Sequence, residues 1–147
     1  WDFKDITNNI QFLKQLLKED IIIEEAIEPL LIKNKKFDLR IYVLYNKIVY
    51  VYPRSTKQES IVTNITQGAK REKQYFLKKM PKSFLNKSLK YAIKSTKALN
   101  LNFAGVDILP DSKGKPIILE LNSFPGFPSS KFEVDRKIIN ELKRIFG

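Results

Sequence analysis

Two short apolar segments, 105–109 and 117–122, constrain this chain more than any other feature, because each sets an acid among β-branched and leucine neighbours. They read Gly105-Val106-Asp107-Ile108-Leu109 and Ile117-Ile118-Leu119-Glu120-Leu121-Asn122, with Asp111-Ser112-Lys113-Gly114-Lys115 between them. Strand-forming runs joined by a short glycine-containing linker define a β-hairpin. With the tight turn centred on Lys113-Gly114, Asp107 lies opposite Glu120 and Gly105 opposite Asn122. Side chains alternate across a strand, so Asp107, Glu120 and Asn122 share one face. Val106, Ile108, Leu119 and Leu121 then form an apolar underside.

Opposed Cβ atoms on such a pair lie about 4.5–5.5 Å apart. Two ionised carboxylates at that spacing repel, and each raises the other's pKa unless a cation lies between them. Asn122 adds a neutral oxygen, and Gly105 leaves space beside it. An all-oxygen set suits magnesium, with waters and phosphate oxygens completing its octahedron. The plainer alternative is a solvated hairpin whose outer face is acidic. Leu109 and Ile118, expected to flank the acids on that face, favour a half-covered cleft.

Composition narrows the chemistry. The 147 residues include no cysteine and no histidine, which excludes disulfide scaffolds, thiol catalysis, the usual zinc sites and any Ser-His-Asp triad. Carboxylate, amide, hydroxyl, Lys and Arg remain, a palette for hard cations and phosphates. A chain 43% hydrophobic and 29% charged reads as a globular domain. No apolar run approaches the ~20 residues that span a bilayer, and no signal-peptide pattern opens the chain, so the expectation is cytoplasmic. The chain starts at Trp1, which reads as a piece of a longer protein. Its net charge of +11 fits polyanionic partners, and equally a general preference for Lys on solvated faces.

Along the chain, 7–18 has a helical period with Thr7 or Asn8 as N-cap, and 21–27 reads as a strand. Segments 38–45 and 47–52 read as a hairpin meeting at Asn46-Lys47, with Pro53 ending its second strand. An irregular or strand-like stretch, 60–68, precedes two helices, 70–79 and 83–99, separated by Pro81. The second carries Leu85, Leu89, Ala92, Ile93 and Thr96 on one stripe. The 103–109 and 116–121 strands follow, then a Pro/Gly loop, Ser123-Phe124-Pro125-Gly126-Phe127-Pro128, and a helix over 134–146. This mixture predicts an α+β fold.

Gly105-Val106-Asp107, followed by Ile118-Leu119-Glu120-Leu121-Asn122-Ser123-Phe124-Pro125-Gly126, resembles the D…ExN-S-x-P-G signature of the ATP-grasp superfamily, most of all its RimK-like carboxylate-amine ligases. Upstream, Pro29-Leu30-Leu31-Ile32 and Lys36-Phe37-Asp38-Leu39-Arg40-Ile41-Tyr42-Val43-Leu44 resemble instead tubulin tyrosine ligase and its relatives, another ATP-grasp branch. The resemblance implies the C-terminal catalytic half of an ATP-grasp domain, a mostly antiparallel sheet flanked by helices. It places the N-terminal domain and the glycine-rich-loop subdomain, with its phosphate-binding Lys, before Trp1.

The resemblance also implies roles. Asp107, Glu120 and Asn122 would hold magnesium (or manganese) on the phosphates of ATP. Ile23-Glu24-Glu25-Ala26-Ile27 matches the hinge that meets adenine, although Glu24 and Glu25 cannot both face inward on a strand. Lys36 and Asp38 match nucleotide contacts, Asp38 near the ribose, and Thr63-Asn64 match a loop touching phosphate and metal. Arg40 and Arg54 match basic catalytic positions facing the same cleft. The bland reading of Arg40 and Asp38 is a structural ion pair on one strand face. The chain departs from the RimK-like pattern at Val62, where an arginine is usual, and near Gln67.

The implied activity joins a carboxylate, on a small molecule or a protein tail, to an amino acid or other amine through an acyl phosphate. An ATP-grasp small-molecule kinase would use the same machinery. A different class is a nucleic-acid or acidic-protein binding module using Tyr42, Tyr45, Tyr50 and Tyr52 among basic residues. Alternation sets Tyr50 and Tyr52 on one strand face, the pattern of core residues.

Overall fold

The computed structural model describes residues 14, 17–18, 25, 27–57, 70–72, 74–128 and 133–147. Its elements run β1 (Leu31–Ile32), β2 (Lys35–Leu44), β3 (Lys47–Lys57), β4 (Lys70–Arg71), a 3-10 helix (Gln74–Lys79), α1 (Lys82–Ala98), β5 (Phe103–Pro110), β6 (Pro116–Asn122) and α2 (Val134–Phe146). The strands form one antiparallel sheet in the order β4-β3-β2-β5-β6. β1 pairs with the start of β2, on residues that β5 does not reach. The α+β expectation holds.

Period-two alternation sorts β2 into two faces. Phe37, Leu39, Ile41 and Val43 point down with Val106 and Ile108 of β5, all fully or almost fully buried. α1 covers this underside, and Phe84 meets Phe37 edge-on with ring centroids 5.8 Å apart. Burying each such side chain stabilises the fold by roughly 1.5–3 kcal/mol. The helix buries Phe84, Ser88, Ala92 and Thr96 most deeply, with Leu85, Leu89 and Ile93 on the flanks. Ser88 and Thr96 enter the interface because each hydroxyl donates to a carbonyl of the preceding turn.

The upper face has two halves. At one end α2 lays Val134 and Ile138 on Tyr42, Leu44, Tyr50 and Tyr52. At the other end stand the charged residues.

The structure differs from the sequence reading in five places. The 105–122 hairpin keeps Asp107 opposite Glu120 and Gly105 opposite Asn122, but Pro110 pairs with Pro116 and Ile108 with Ile118. The turn is therefore centred one half-step earlier, on Lys113, with Gly114 at φ 75° beside it, and a bulge at Leu119 restores the expected register at the acids. Ile118, not Leu119, faces the core, and Leu119 is exposed. Pro53 does not end β3, which continues to Lys57. Its carbonyl accepts from Glu72 N, so its nitrogen also faces the outer side of β3 and no β2–β3 hydrogen bond is lost.

Residues 70–79 are not one helix; Lys70–Arg71 pairs with β3 and only Gln74–Lys79 is helical. The β2–β3 turn is Tyr45-Asn46, with φ of 45° and 62°, not Asn46-Lys47. Glu25 and Ile27 are irregular rather than strand. The remainder of 21–27, the 60–68 stretch and nearly all of the 7–18 helix lie outside the described residues. No described helix is long and apolar enough to cross a membrane.

Candidate active site

Register converts alternation into a site. Asp38 lies beside Arg54 across β2–β3, Arg40 beside Asp107 across β2–β5, and Asp107 beside Glu120 across β5–β6. All five share the upper face. Arg54 grips Asp38 with Nε to Oδ1 at 2.6 Å and Nη2 to Oδ2 at 2.8 Å. The same Nη2 lies 2.9 Å from Asp107 Oδ2. Arg40 grips Asp107 from the other side, Nε to Oδ1 at 2.8 Å and Nη2 to Oδ2 at 2.7 Å. Its Nη2 also lies 3.4 Å from Glu120 Oε1. Side-chain exposure rises along this ladder, from 0% at Asp38 through 5% at Arg54, 6% at Asp107 and 18% at Arg40 to 59% at Glu120. The ladder runs from the interior to a rim.

Electrostatics follow that order. Burial pushes the Asp107 carboxyl up, but hydrogen bonding by Arg40 and the charges of both arginines outweigh it and hold Asp107 below the ordinary range. Glu120 goes the other way: partial burial and the adjacent Asp107 carboxylate raise it, against a smaller opposing effect of the arginines. This is the signature of two acids sharing a site. Arg54 is raised above its ordinary value, burial opposing and Asp38 and Asp107 prevailing. Three carboxylates face two guanidiniums here, so these five side chains retain one negative charge.

Asn122 closes the site. Its Oδ1 accepts the Phe124 backbone N–H at 2.9 Å, tying the following loop back on itself. Pro125 lies so close to Gly105 that a Cβ there would stand 2.7 Å from Pro125 Cβ. Tyr42 donates its hydroxyl to Gly126 O at 2.7 Å, and its ring meets Phe127. Gly105, read in the sequence as space beside the acids, is thus a notch filled by the loop.

Of the expected site residues, Asp107, Glu120, Asn122, Arg40, Arg54, Asp38 and Lys36 come to one sheet face. Two expectations change. Arg54 does not line an open cleft, since it is enclosed and engaged by two acids. Asp38 is fully enclosed and engaged by Arg54, not by Arg40 as the bland ion-pair reading had it, because cross-strand register outranks same-strand spacing. Such burial leaves it no exposed surface for a ribose. Glu25 is exposed and Ile27 half-buried in irregular backbone. Glu24, Ala26, Thr63 and Asn64 lie outside the described residues. Sequence reasoning missed Tyr42 as an anchor of the loop, although its alternation with Arg40 places it on the site face. It also missed Glu72, held below its ordinary range against the effect of burial by Ser55 Oγ at 2.6 Å and by Lys35.

The donor chemistry fits a hard divalent cation. A carboxylate offers about four lone-pair positions. The arginines take one on Asp107 Oδ1 and two on Oδ2, leaving Oδ1 one further position. Among the described residues no three His, Cys, Asp or Glu side chains group as ligands, so the candidate set is two carboxylates and one amide. Of the four tyrosines of the binding-module reading, Tyr42, Tyr50 and Tyr52 are buried and Tyr45 is exposed, so they form no continuous stacking platform for bases.

A carboxylate hairpin and an amide-capped loop thus share one face of the sheet. Across 95% of its length the chain superposes on 41% of a Chryseobacterium gregarium RiPP-associated ATP-grasp ligase, with a TM-score of 0.58 at 14% identity. The chain belongs to the RimK-like ATP-grasp domain family, whose model matches residues 5–143. It is 33% identical over 110 residues to a Vibrio vulnificus protein named "Probable alpha-L-glutamate ligase", covering 75% of this chain and 32% of that one. A Syntrophotalea carbinolica protein of the same name is 30% identical over 128 residues, covering 87% and 38%. The chain thus spans about a third of the length of the curated relatives it matches.

Proposed function

We propose that the protein is an ATP- and magnesium-dependent carboxylate-amine ligase. The observation that carries this reading is Asp107 set opposite Glu120, beside Asn122, on the same face as Arg40. Asp107 Oδ1, Glu120 and Asn122 would hold the divalent ion, which when bound screens phosphate charge. A substrate carboxylate attacks the γ-phosphorus of ATP, forming an acyl phosphate and releasing ADP. An amine then attacks the acyl carbon, and phosphate leaves with the former carbon–oxygen bonding pair. Both reactants of the first step are anions, and Arg40, part-exposed between the two acids, is a guanidinium able to reach them. Arg54 acts behind it by fixing Asp107.

The relatives' names make L-glutamate the first amino acid to test, with a small acid or a polypeptide carboxyl as its partner. Use of ATP agrees with the cytoplasmic location expected from the sequence. The test is ADP release by the complete protein with magnesium, a panel of carboxylates and a panel of amino acids. Glu120→Gln is the decisive variant, since this exposed side chain contributes little to folding; a loss of magnesium-dependent turnover at least as large as the roughly 10–100-fold of outer-shell substitutions is expected. Turnover in Glu120→Gln equal to the parent's overturns the reading. ADP release that needs no amine and leaves a stable phosphorylated product indicates a kinase.

A further inference from the structure

The enclosed end of the ladder carries a role distinct from nucleotide contact. Asp38 has no exposed surface, yet it is linked to the rim through a single nitrogen. Arg54 Nη2 donates to Asp38 Oδ2 at 2.8 Å and lies 2.9 Å from Asp107 Oδ2. Nε to Asp38 Oδ1 at 2.6 Å completes a two-point fork, which removes rotation about the guanidinium. Arg54 therefore cannot follow Asp107 if that carboxylate turns.

We propose that Asp38 is a positioning residue: by locking the Arg54 guanidinium against Asp107 Oδ2, it keeps that cation off the remaining Oδ1 position and leaves this position open to a divalent ion. This rests on the metal-site reading above and deepens it. Without Asp38, Arg54 is a buried cation that turns wholly toward Asp107. It then competes for the oxygen that the divalent ion needs. Partners that orient a ligating carboxylate typically affect metal affinity by about 10–100-fold.

The test uses the complete protein and Mn2+ alone as the probe, titrated by electron paramagnetic resonance without nucleotide. In parallel, steady-state constants are measured for ATP and 2′-deoxy-ATP. Asp38→Asn is expected to weaken Mn2+ binding by about 10-fold or more, in line with outer-shell effects. It should lower kcat while KM for ATP stays within about twofold, and leave the preference between the two nucleotides intact. Arg54→Lys, which keeps the charge but not the fork, should reproduce the Mn2+ effect, and the double variant should be no worse than Arg54→Lys. Where Asp38→Asn does not fold, the Arg54→Lys titration decides alone.

Parent-like Mn2+ affinity in the folded variants overturns the inference and reduces Asp38 to a structural ion-pair partner. Collapse of the ATP to 2′-deoxy-ATP preference overturns it in favour of a ribose contact. Parent-like Mn2+ affinity in Glu120→Gln overturns the metal site itself and this inference with it. Loss in Glu120→Gln without loss in Asp38→Asn or Arg54→Lys overturns only the role of Asp38.

Discussion

The two faces of β2 are made by the same ten residues and stabilised by opposite physics. On the lower face, Phe37, Leu39, Ile41 and Val43 gain free energy from burial that any well-packed apolar partner supplies. On the upper face, Asp38 and Arg40 stand among Arg54 and Asp107, where desolvation of each charge opposes the attraction between them. The lower face tolerates volume-conserving change and is indifferent to pH. The upper face is specific in geometry and fragile to the loss of a single charge. A fold needing only stability would carry apolar residues on both, so the upper cluster is the part of the sheet that packing alone does not explain.

The sharpest way to break that contrast is Asp107→Ala. It leaves Arg40 and Arg54 facing each other with one acid fewer, and breaking such a buried pair typically costs about 3–5 kcal/mol. Denaturant titration should show that loss, and Mn2+ binding should vanish in the folded fraction. Phe84→Ala should cost a similar 3–5 kcal/mol or so through the cavity beneath Phe37. Here, though, Mn2+ affinity of the folded fraction should equal the parent's. Equal damage to metal binding by both variants would mean that the faces are not independent.

A smaller effect is expected from Gly105→Ala, where the new methyl meets Pro125 and forces the loop away from Tyr42 and Asn122. Strain of this kind typically costs about 1–3 kcal/mol. The readout is a weakened divalent-ion affinity in a protein that otherwise folds normally.

Acid sharpens the comparison further. Asp107 has a depressed folded pKa, so its contribution is fully present above the ordinary carboxylate value of about 3.9 and is lost as pH falls through the lower folded value. Glu120 is raised, so its charge opposes folding above its folded pKa and that opposition is relieved as pH falls. Stability should therefore hold or rise slightly as Glu120 protonates, then drop as Asp107 does. In Asp107→Asn that final step should shrink, as followed by thermal melts across the acid range. The smallest effect belongs to Glu120→Gln, whose melting temperature should match or slightly exceed the parent's.

Much of this arrangement was legible in advance. The Asp107–Glu120 and Gly105–Asn122 pairings, the sharing of one face by the site residues, the last helix and the burial of Tyr50 and Tyr52 follow from alternation and turn chemistry, which are local. The Leu119 bulge was not legible, because a bulge is a compromise between a turn geometry and a register set by β2 on the far side of β5. Nor was the continuation of β3 past Pro53, which depends on which edge its nitrogen faces. The β4 pairing of Lys70–Arg71 needed an unoccupied edge that only the assembled sheet offers.

By itself the sequence determined which residues could do chemistry here, since alternation, the absence of His and Cys, and two acids flanking a turn leave few arrangements. The tertiary structure alone decided how they are used. It gave Arg54 to Asp38, suspended Asp107 between two arginines and left Glu120 at the rim. The reason is that a strand's pattern fixes the face of each side chain, whereas its neighbour across the ladder, and its depth from water, are properties of the whole sheet.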